Sequence, residues 1–315
     1  MMTQDMPGSE LFIARDLPPA KDRLLAFNRR GTRLAVSCQD SDDVQVFDTR
    51  SGEEVTRLKG FFRIFGIEFL SANVLLVTAF HGCFRCDLRQ GGRGVLSSEA
   101  WLTRTTVSQN GRVVAIGVKG GLLLYDVRKG QVVHRIRTAF DPDFVGHRAA
   151  FSAGGRYLAA DLNSGSRGTG IVVIWDAHTL RRQRVFDTRA YALAFREDTL
   201  ALAVSADSGY IELYEPDQGE EPATRFFFDY SLPNMMEFRD GGRTLAMLMS
   251  GGEFVQLAPG TGSVERRIAP QANYKLDSAV SCVDWSLFAG ATDDGVVIWP
   301  GDRGEPGVAP DRGGK

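Results

Sequence analysis

Apolar and polar positions alternate along this chain in short segments, and the apolar segments return at a regular interval. Near the start, LLAF, RLAVS, VQVF and EVTRL follow one another, separated by small groups of Gly, Asp, Asn, Ser and Thr. Short segments bounded by such turn residues predict strands, and no sustained helical periodicity is present. The pattern therefore predicts groups of four consecutive strands joined by tight turns.

The group of four segments recurs seven times, and each copy has one characteristic side chain near the end of its third segment. Successive copies of this position are 39, 39, 50, 39, 43 and 42 residues apart; its occupants are Phe47, Cys86, Tyr125, Trp175, Tyr214, Leu257 and Trp299. Most of these spacings are close to the period of about 40–45 residues of β-propeller blades. We therefore predict an all-β fold, a seven-bladed β-propeller of four-stranded antiparallel blades.

Glycines mark the turns of this repeat. A glycine follows five positions after the characteristic side chain in every copy except the fourth, at Gly52, Gly91, Gly130, Gly219, Gly262 and Gly304. Asn110-Gly111 and Asp240-Gly241-Gly242 fall between first and second segments, where a tight hairpin needs positive φ. These positions predict turns at a fixed place in each blade.

The seventh copy contains only three strand segments before a glycine-rich tail. The missing fourth strand is supplied by ELFIARDL, residues 10–17, which we expect to pair with the last blade and close the ring. The predicted blades span about 21–59, 60–99, 100–139, 144–188, 189–230, 234–270 and 276–300 plus 10–17. Residues 1–9 and 301–315 are expected to be a flexible and a disordered tail.

Two copies carry the most specific local motifs. FSAGGRYLA followed by IVVIWD in blade four, and ATDDGVVIW in blade seven, resemble the WD-repeat propeller family, and the resemblance spans about residues 10–300. The Trp-Asp pair occurs once, at Trp175-Asp176, with Phe47-Asp48, Cys86-Asp87 and Tyr125-Asp126 as variants. Gly146-His147 lies four residues before Phe151, closer than the family's Gly-His spacing, so the family's buried Asp–His network is not carried over. The resemblance implies a platform for protein partners.

Composition and charge restrict the expected partners and the expected compartment. The 315 residues are 43% hydrophobic and 24% charged with a net charge of −2, which supplies no general attraction to nucleic acid or to anionic lipid. No apolar stretch is long enough to span a bilayer, and from the polar start we expect no secretory signal. The four cysteines do not form a disulfide framework. We expect a cytoplasmic protein with no membrane partner, and nucleic acid is an unlikely one.

Catalytic and metal-binding motifs are not found. Cys83 and Cys86 have a metal-like spacing, but residues i and i+3 of a strand point to opposite faces, so we interpret both as core residues. Asp161-Leu162-Asn163-Ser164-Gly165 begins like a calcium loop without its closing acid, which leaves a surface loop at 162–170 as the main interpretation and ion binding as the minor one. The four histidines are dispersed. No cofactor and no metal are predicted.

One side of the predicted ring is rich in aromatic residues and arginine, the types enriched at protein interfaces. It is formed by the connections from each outer strand to the next inner strand. Four of its arginines recur at matching positions before the inner strands and are expected to crowd the channel mouth. The candidate partner-binding residues are Phe61, Phe62, Arg63, Trp101, Arg104, Phe144, His147, Arg148, Arg189, Tyr191, Tyr230 and Tyr274.

The sequence therefore predicts a non-catalytic scaffold for protein–protein interaction. This scaffold could be one subunit of a larger complex, and it could bind an acidic or phosphorylated segment at the channel mouth. Two alternatives remain open. The first is a propeller enzyme, a lactonase- or lyase-like hydrolase that holds a metal or metabolite in its channel. The second is that the aromatic residues wedge between blades while the arginines pair locally with Asp141, Asp143 or Asp187.

Overall fold

A computed structural model describes most of the chain. The described residues are 11–13, 23–38, 41–98, 105–108, 110–118, 120–137, 144–164, 170–197, 199–206, 209–216, 219–228, 232–268, 278–282, 285–293 and 295–300. The two predicted tails, 1–9 and 301–315, lie outside these residues. No helix in the described part could cross a membrane.

The described residues form seven consecutive antiparallel blades, as the repeat predicted, and the predicted fold class is confirmed. Blade one contains β2 (Arg23–Phe27), β3 (Arg33–Cys38), β4 (Asp43–Asp48) and β5 (Glu54–Lys59). Blade two contains β6 (Ile64–Ser71), β7 (Val74–Ala79), β8 (Gly82–Asp87) and β9 (Arg93–Ser97). Blade three contains β10 (Thr105–Val107), β11 (Val113–Val118), β12 (Gly121–Asp126) and β13 (Gln131–Arg137).

The remaining blades follow the same order. Blade four contains β14 (Phe144–Phe151), β15 (Tyr157–Ser164), β16 (Gly170–Asp176) and β17 (Arg182–Phe186). Blade five contains β18 (Ala192–Phe195), β19 (Leu202–Ser205), β20 (Tyr210–Tyr214) and β21 (Thr224–Phe227). Blade six contains β22 (Pro233–Arg239), β23 (Thr244–Met249), β24 (Phe254–Leu257) and β25 (Val264–Ile268). Blade seven contains β26 (Ser278–Ser281), β27 (Leu287–Thr292) and β28 (Gly295–Pro300).

The N-terminal strand β1 (Leu11–Ile13) runs antiparallel to β28 and is the fourth strand of blade seven. Leu11 lies opposite Ile298, and Ile13 lies opposite Val296. The described strand is shorter than the predicted segment 10–17, because residue 10 and residues 14–17 lie outside the described part of the chain.

The core lies between blades, because successive side chains of a strand point to opposite faces of the sheet. On β3, Leu34 and Val36 pack toward blade seven, whereas Ala35 between them packs toward blade two. The same alternation separates Cys83 from Cys86, which belong to different clusters as expected from their spacing. Each blade therefore buries both faces against its neighbours.

In blades one to four, the turn before the outer strand is fixed by an aspartate. In blade one, the Asp48 Oδ1 atom accepts hydrogen bonds from the backbone N–H groups of Arg50, at 3.0 Å, and Ser51, at 3.1 Å. Gly52 then has a φ of 74°, and its N–H donates to the carbonyl oxygen of Asp48 at 2.9 Å. The aspartate and the left-handed residue together reverse the chain before β5.

Blade four makes the same turn without glycine. Leu180 occupies the position of the missing glycine with a φ of 58°, and its N–H donates to the carbonyl oxygen of Asp176 at 2.8 Å. Gly219 of blade five departs from the prediction, because its φ is not positive and the connection from β20 to β21 is longer than in the other blades.

The insertion in blade four corrects one expectation. Residues 162–170 were predicted as a surface loop, but Leu162 pairs with Ile171, and Asn163 pairs with Gly170, in the ladder between β15 and β16. The insertion thus lengthens the hairpin of β15 and β16, because the two strands continue to pair beyond the usual strand end. Residues 165–169 lie outside the described residues.

Candidate functional site

Two connections meet on one side of blade two. We call this side of the ring the loop face; it consists of the connections from outer to next inner strands and the turns between second and third strands. The Phe80 N–H, in the turn before β8, donates to the carbonyl oxygens of Phe62 at 2.9 Å and Arg63 at 3.1 Å, in the connection before β6. These hydrogen bonds place two aromatic turns side by side.

An aromatic cluster stands at this junction. The Phe62 ring stacks on the His81 ring at 5.4 Å between centroids and contacts the Phe80 ring edge-on at 5.8 Å. Phe62 remains 53% exposed, although an aromatic side chain gains most from burial. We call Phe62, Phe80 and His81 the blade-two patch. A large ring held in place but left in water is suited to binding a partner.

The neighbouring residue Phe61 has a different role. Its side chain is only 5% exposed and packs edge-on against Phe84 at 5.6 Å. The Arg93 guanidinium lies over both rings, at 5.2 Å from Phe61 and 4.9 Å from Phe84, and donates to the carbonyl oxygen of Gly60 at 3.0 Å. Phe61 is therefore a core residue, as the wedge alternative described.

Arg63 completes the exposed part of the junction. It is exposed and has a φ of 52°, a conformation that is unfavourable by about 1–2 kcal/mol for a residue with a side chain. The Phe80 N–H holds the Arg63 carbonyl oxygen in that conformation. Arg63 directly follows Phe62, so its backbone adjoins the blade-two patch.

Arg148 lies within blade four. It stands directly opposite Asp161 in the β14–β15 ladder, next to a register shift between Gly146 and Arg148. Asp161 is 1% exposed and accepts a hydrogen bond from the Ala190 N–H at 3.4 Å. Arg148 is half-buried there. This placement resembles the local-pairing alternative, with Asp161 in place of the aspartates considered from sequence.

Arg189 and Tyr191 lie where the connection to blade five meets the lengthened hairpin. The Arg189 guanidinium is 5.3 Å from the centre of the Tyr191 ring. Gly170 allows this approach, because a Cβ atom there would be 2.9 Å from the Arg189 Cβ atom and 3.1 Å from its Cα atom. Both side chains are half-buried.

The structure therefore brings together only part of the predicted set. Phe62 and Arg63 are adjacent in the connection to blade two, while Arg189 and Tyr191 form a pair in the connection to blade five, three blades further round the ring. Trp101, Arg104, Tyr230 and Tyr274 lie outside the described residues, as do the side chains of Phe144 and His147. Sequence reasoning missed Phe80 and identified His81 only as a turn residue; their position between the second and third strands was the available signal.

Two glutamates occupy the same register position on inner strands. Glu68 and Glu237 each precede an inner-strand phenylalanine, and burial raises the pKa of both carboxyl groups, that of Glu68 to about 7. The Trp285 indole N–H donates to Glu237. The two lie in blades two and six. Among the described residues, no three His, Cys, Asp or Glu side chains are grouped to hold a metal ion.

The thiols of blade two are not in a reactive setting. Burial raises the pKa of the Cys83 thiol to about 12 and that of the Cys86 thiol to about 11. A reactive cysteine needs a lowered pKa and access to solvent. Both cysteines are free and buried, so they act as apolar core residues.

Comparison with known proteins supports the architecture. The chain resembles the β-propeller domain of Cps50 (Swd1) from Myceliophteria thermophila, with a TM-score of 0.66 and 18% sequence identity over 93% of this chain and 99% of that one. The resemblance to WD-repeat propellers is thus confirmed at the level of the fold. No family model matches the sequence. No curated protein matches it either.

Proposed function

We propose that this protein is a rigid, non-catalytic platform that binds protein partners through its loop face, as one subunit of a larger complex in the cytoplasm. The observation that carries this proposal is Phe62, a ring fixed by Phe80 and His81 and yet 53% exposed. A preorganised aromatic side chain loses little entropy on binding and buries much area. The closed ring holds the surrounding loops at fixed separations.

The propeller architecture agrees with this role, and the argument for it rests on the blade-two patch because one fold serves many functions. Cps50, the similar structure, is likewise a β-propeller domain. The buried or half-buried placement of Phe61, Arg148 and Tyr191 reduces the surface expected from sequence to a smaller area centred on blade two.

We further infer that the partner presents an acidic or phosphorylated segment beside an apolar anchor. Arg63 is exposed and directly follows Phe62 of the blade-two patch, and guanidinium groups bind carboxylates and phosphates through paired hydrogen bonds. The apolar anchor would cover Phe62, while the anion would reach Arg63.

The test uses two phenylalanines with nearly equal exposure. Phe62→Ala removes the ring from the loop face, and Phe227→Ala removes a ring that is 49% exposed on the outer strand β21. Partners captured from the native host and identified by mass spectrometry should be lost with the first variant and kept with the second. Equal recovery of the same partners by both variants, at native stability, contradicts the proposal.

Arg63→Glu separates the anionic contribution from the apolar one. It should weaken the recovered partner by about tenfold or more and reduce the dependence of binding on salt, since it reverses one charge at the contact. Arg63→Lys keeps the charge and should retain most of the affinity for a carboxylate. A partner that binds Arg63→Glu as well as wild type does not use an anion there.

A further inference from the structure

The opposite side of the ring has an uneven distribution of charge. The turns between first and second strands and between third and fourth strands share one face, because the strands of each blade are consecutive and antiparallel. We call this side the turn face. Among the described residues, its exposed charges are basic in blades one to four, apart from Glu53, and mainly acidic in blades five and six.

The aspartate-fixed turns produce the first row of basic residues. Asp48, Asp87 and Asp126 each accept a hydrogen bond from the backbone N–H of the residue two positions later. That residue is an exposed arginine in all three blades: Arg50, Arg89 and Arg128. The aspartate carboxylates accept hydrogen bonds from backbone N–H groups within the turn, and the three arginines are exposed.

The hairpins between first and second strands produce a second row. Arg112 and Arg156 directly follow glycines with positive φ, Gly111 at 67° and Gly155 at 75°, and both are exposed. Arg30 is exposed in the equivalent hairpin of blade one.

Backbone hydrogen bonds join the two rows. The Val127 N–H donates to the carbonyl oxygen of Arg112 at 2.9 Å, and the Ala177 N–H donates to that of Arg156 at 2.7 Å. We call Arg30, Arg50, Arg89, Arg112, Arg128 and Arg156 the basic arc.

Apart from the half-buried aspartates of these turns, most acids that balance these charges lie elsewhere on the same face. Within the described turns of blades one to four, Glu53 is the one exposed acid. The corresponding turns of blades five and six expose Glu197, Glu220, Glu221 and Asp240 and one arginine, Arg243. The net charge of −2 for the whole chain therefore conceals a face with a basic side and an acidic side.

We propose that the basic arc docks a flexible acidic segment of a partner protein. Complementary charge is the first reason, since a run of carboxylates can meet successive guanidinium groups. Curvature is the second reason. The arc follows the ring from blade one to blade four, and an extended polypeptide can bend along it.

Nucleic acid fits this surface less well. A DNA duplex is stiff over about 50 nm, so it cannot follow an arc that curves within one face, and a straight path would approach the acidic turns of blade five. Single strands bind by stacking bases on aromatic rings. The described turns that carry the arc contain no Phe, Tyr or Trp.

The proposal does not depend on the loop face, and it rests on the proposed function only in taking a polypeptide as the occupant. The test is the triple variant Arg112→Glu/Arg128→Glu/Lys129→Glu, which changes two arginines of the basic arc and Lys129, the exposed neighbour of Arg128 in the same turn. Its matched control, Lys59→Glu/Arg137→Glu/Arg243→Glu, makes the same change of net charge at exposed positions outside the arc. A fluorescently labelled poly-glutamate peptide is the probe, titrated at low and moderate salt.

We expect the arc variant to bind the peptide at least about tenfold more weakly than wild type, with a smaller salt dependence, and the control to bind within about twofold. A second arc variant, Arg50→Glu/Arg89→Glu, should weaken binding in other blades if the first variant is not folded. Phe62→Ala should leave peptide binding unchanged, which separates this surface from the loop face.

Three results would overturn the proposal. The first is equal peptide binding by the arc variants and the control. The second is tight, salt-dependent binding of a short DNA duplex together with no binding of the peptide, which would make the occupant a nucleic acid. The third is no peptide binding together with concentration-dependent self-association that the arc variants abolish, which would assign the arc to the acidic turns of a second copy.

Discussion

The Glu68 carboxyl group should make the stability of the ring depend on pH. On β6, Ile67 and Phe69 pack toward blade one, so Glu68 between them faces blade three, where Leu70 joins the apolar cluster. Burial raises the pKa of Glu68 from 4.5 to about 7, and no donor to its carboxylate is found among the described residues. Glu68→Gln removes this ionisable group while keeping its shape.

The sign of the effect follows from the raised pKa. The folded chain binds this proton more tightly than the unfolded chain. Ionisation of Glu68 therefore leaves the free energy of unfolding unchanged below about pH 4.5, lowers it progressively toward pH 7 and lowers it by the full amount above that pH. At about 1.36 kcal/mol for each pKa unit, the full value is about 3 kcal/mol. The half-buried side chain keeps some contact with water, so this value is an upper limit.

Urea unfolding of wild type and Glu68→Gln across this pH range measures the effect. The variant should be more stable by about 1–3 kcal/mol at pH 8, and its advantage should disappear as the pH falls through 7 to 4.5. Glu237→Gln at the same register position is the comparison, because its carboxylate accepts the Trp285 N–H and should show a smaller gain. Parallel stability curves for wild type and Glu68→Gln would refute the reasoning.

Two further changes test the turns and the end of the ring. Gly91→Ala should lower the free energy of unfolding by about 1 kcal/mol, because Gly91 has a φ of 67° and an added Cβ atom would meet nothing within 4 Å. Gly92→Ala is the control, because Gly92 is equally open but has no positive φ, and it should not lower the stability. Equal unfolding midpoints for the two variants would exclude backbone strain as the cause. Deleting residues 1–17 removes β1 from β28 and should give an aggregating protein or one without a cooperative melt; a wild-type transition would show that β1 is dispensable.

The repeat could be predicted because its signals are local. Strand alternation, the characteristic third-strand residue and the turn glycines recur at fixed positions, and seven weak copies support one another. Leu180 shows the limit of this reasoning. Because this position has no glycine, the sequence suggested that blade four lacks the turn. Asp176 and the backbone hydrogen bond nevertheless impose the same turn, so Leu180 adopts the left-handed conformation.

The candidate surface was predicted less well, because counting along the sequence does not reveal bulges or contacts between turns. The register shift beside Arg148 changes where that side chain stands, and the cross-strand neighbour Asp161 lies 13 positions later. Phe62 was identified, but its neighbours Phe80 and His81 come from another turn of the same blade. Neither pairing is visible until the strands are in register.

Charge shows most directly what the topology adds to composition. The sequence count of 37 basic and 39 acidic residues predicts no general attraction to nucleic acid or to anionic lipid, and that conclusion is valid for the chain as a whole. The blade repeat, however, assigns every third-to-fourth-strand turn to one face, and it places Arg50, Arg89 and Arg128 at the same position in three successive blades. Since screening in salt restricts charge interactions to about 10 Å, a partner meets this local group and not the balanced total.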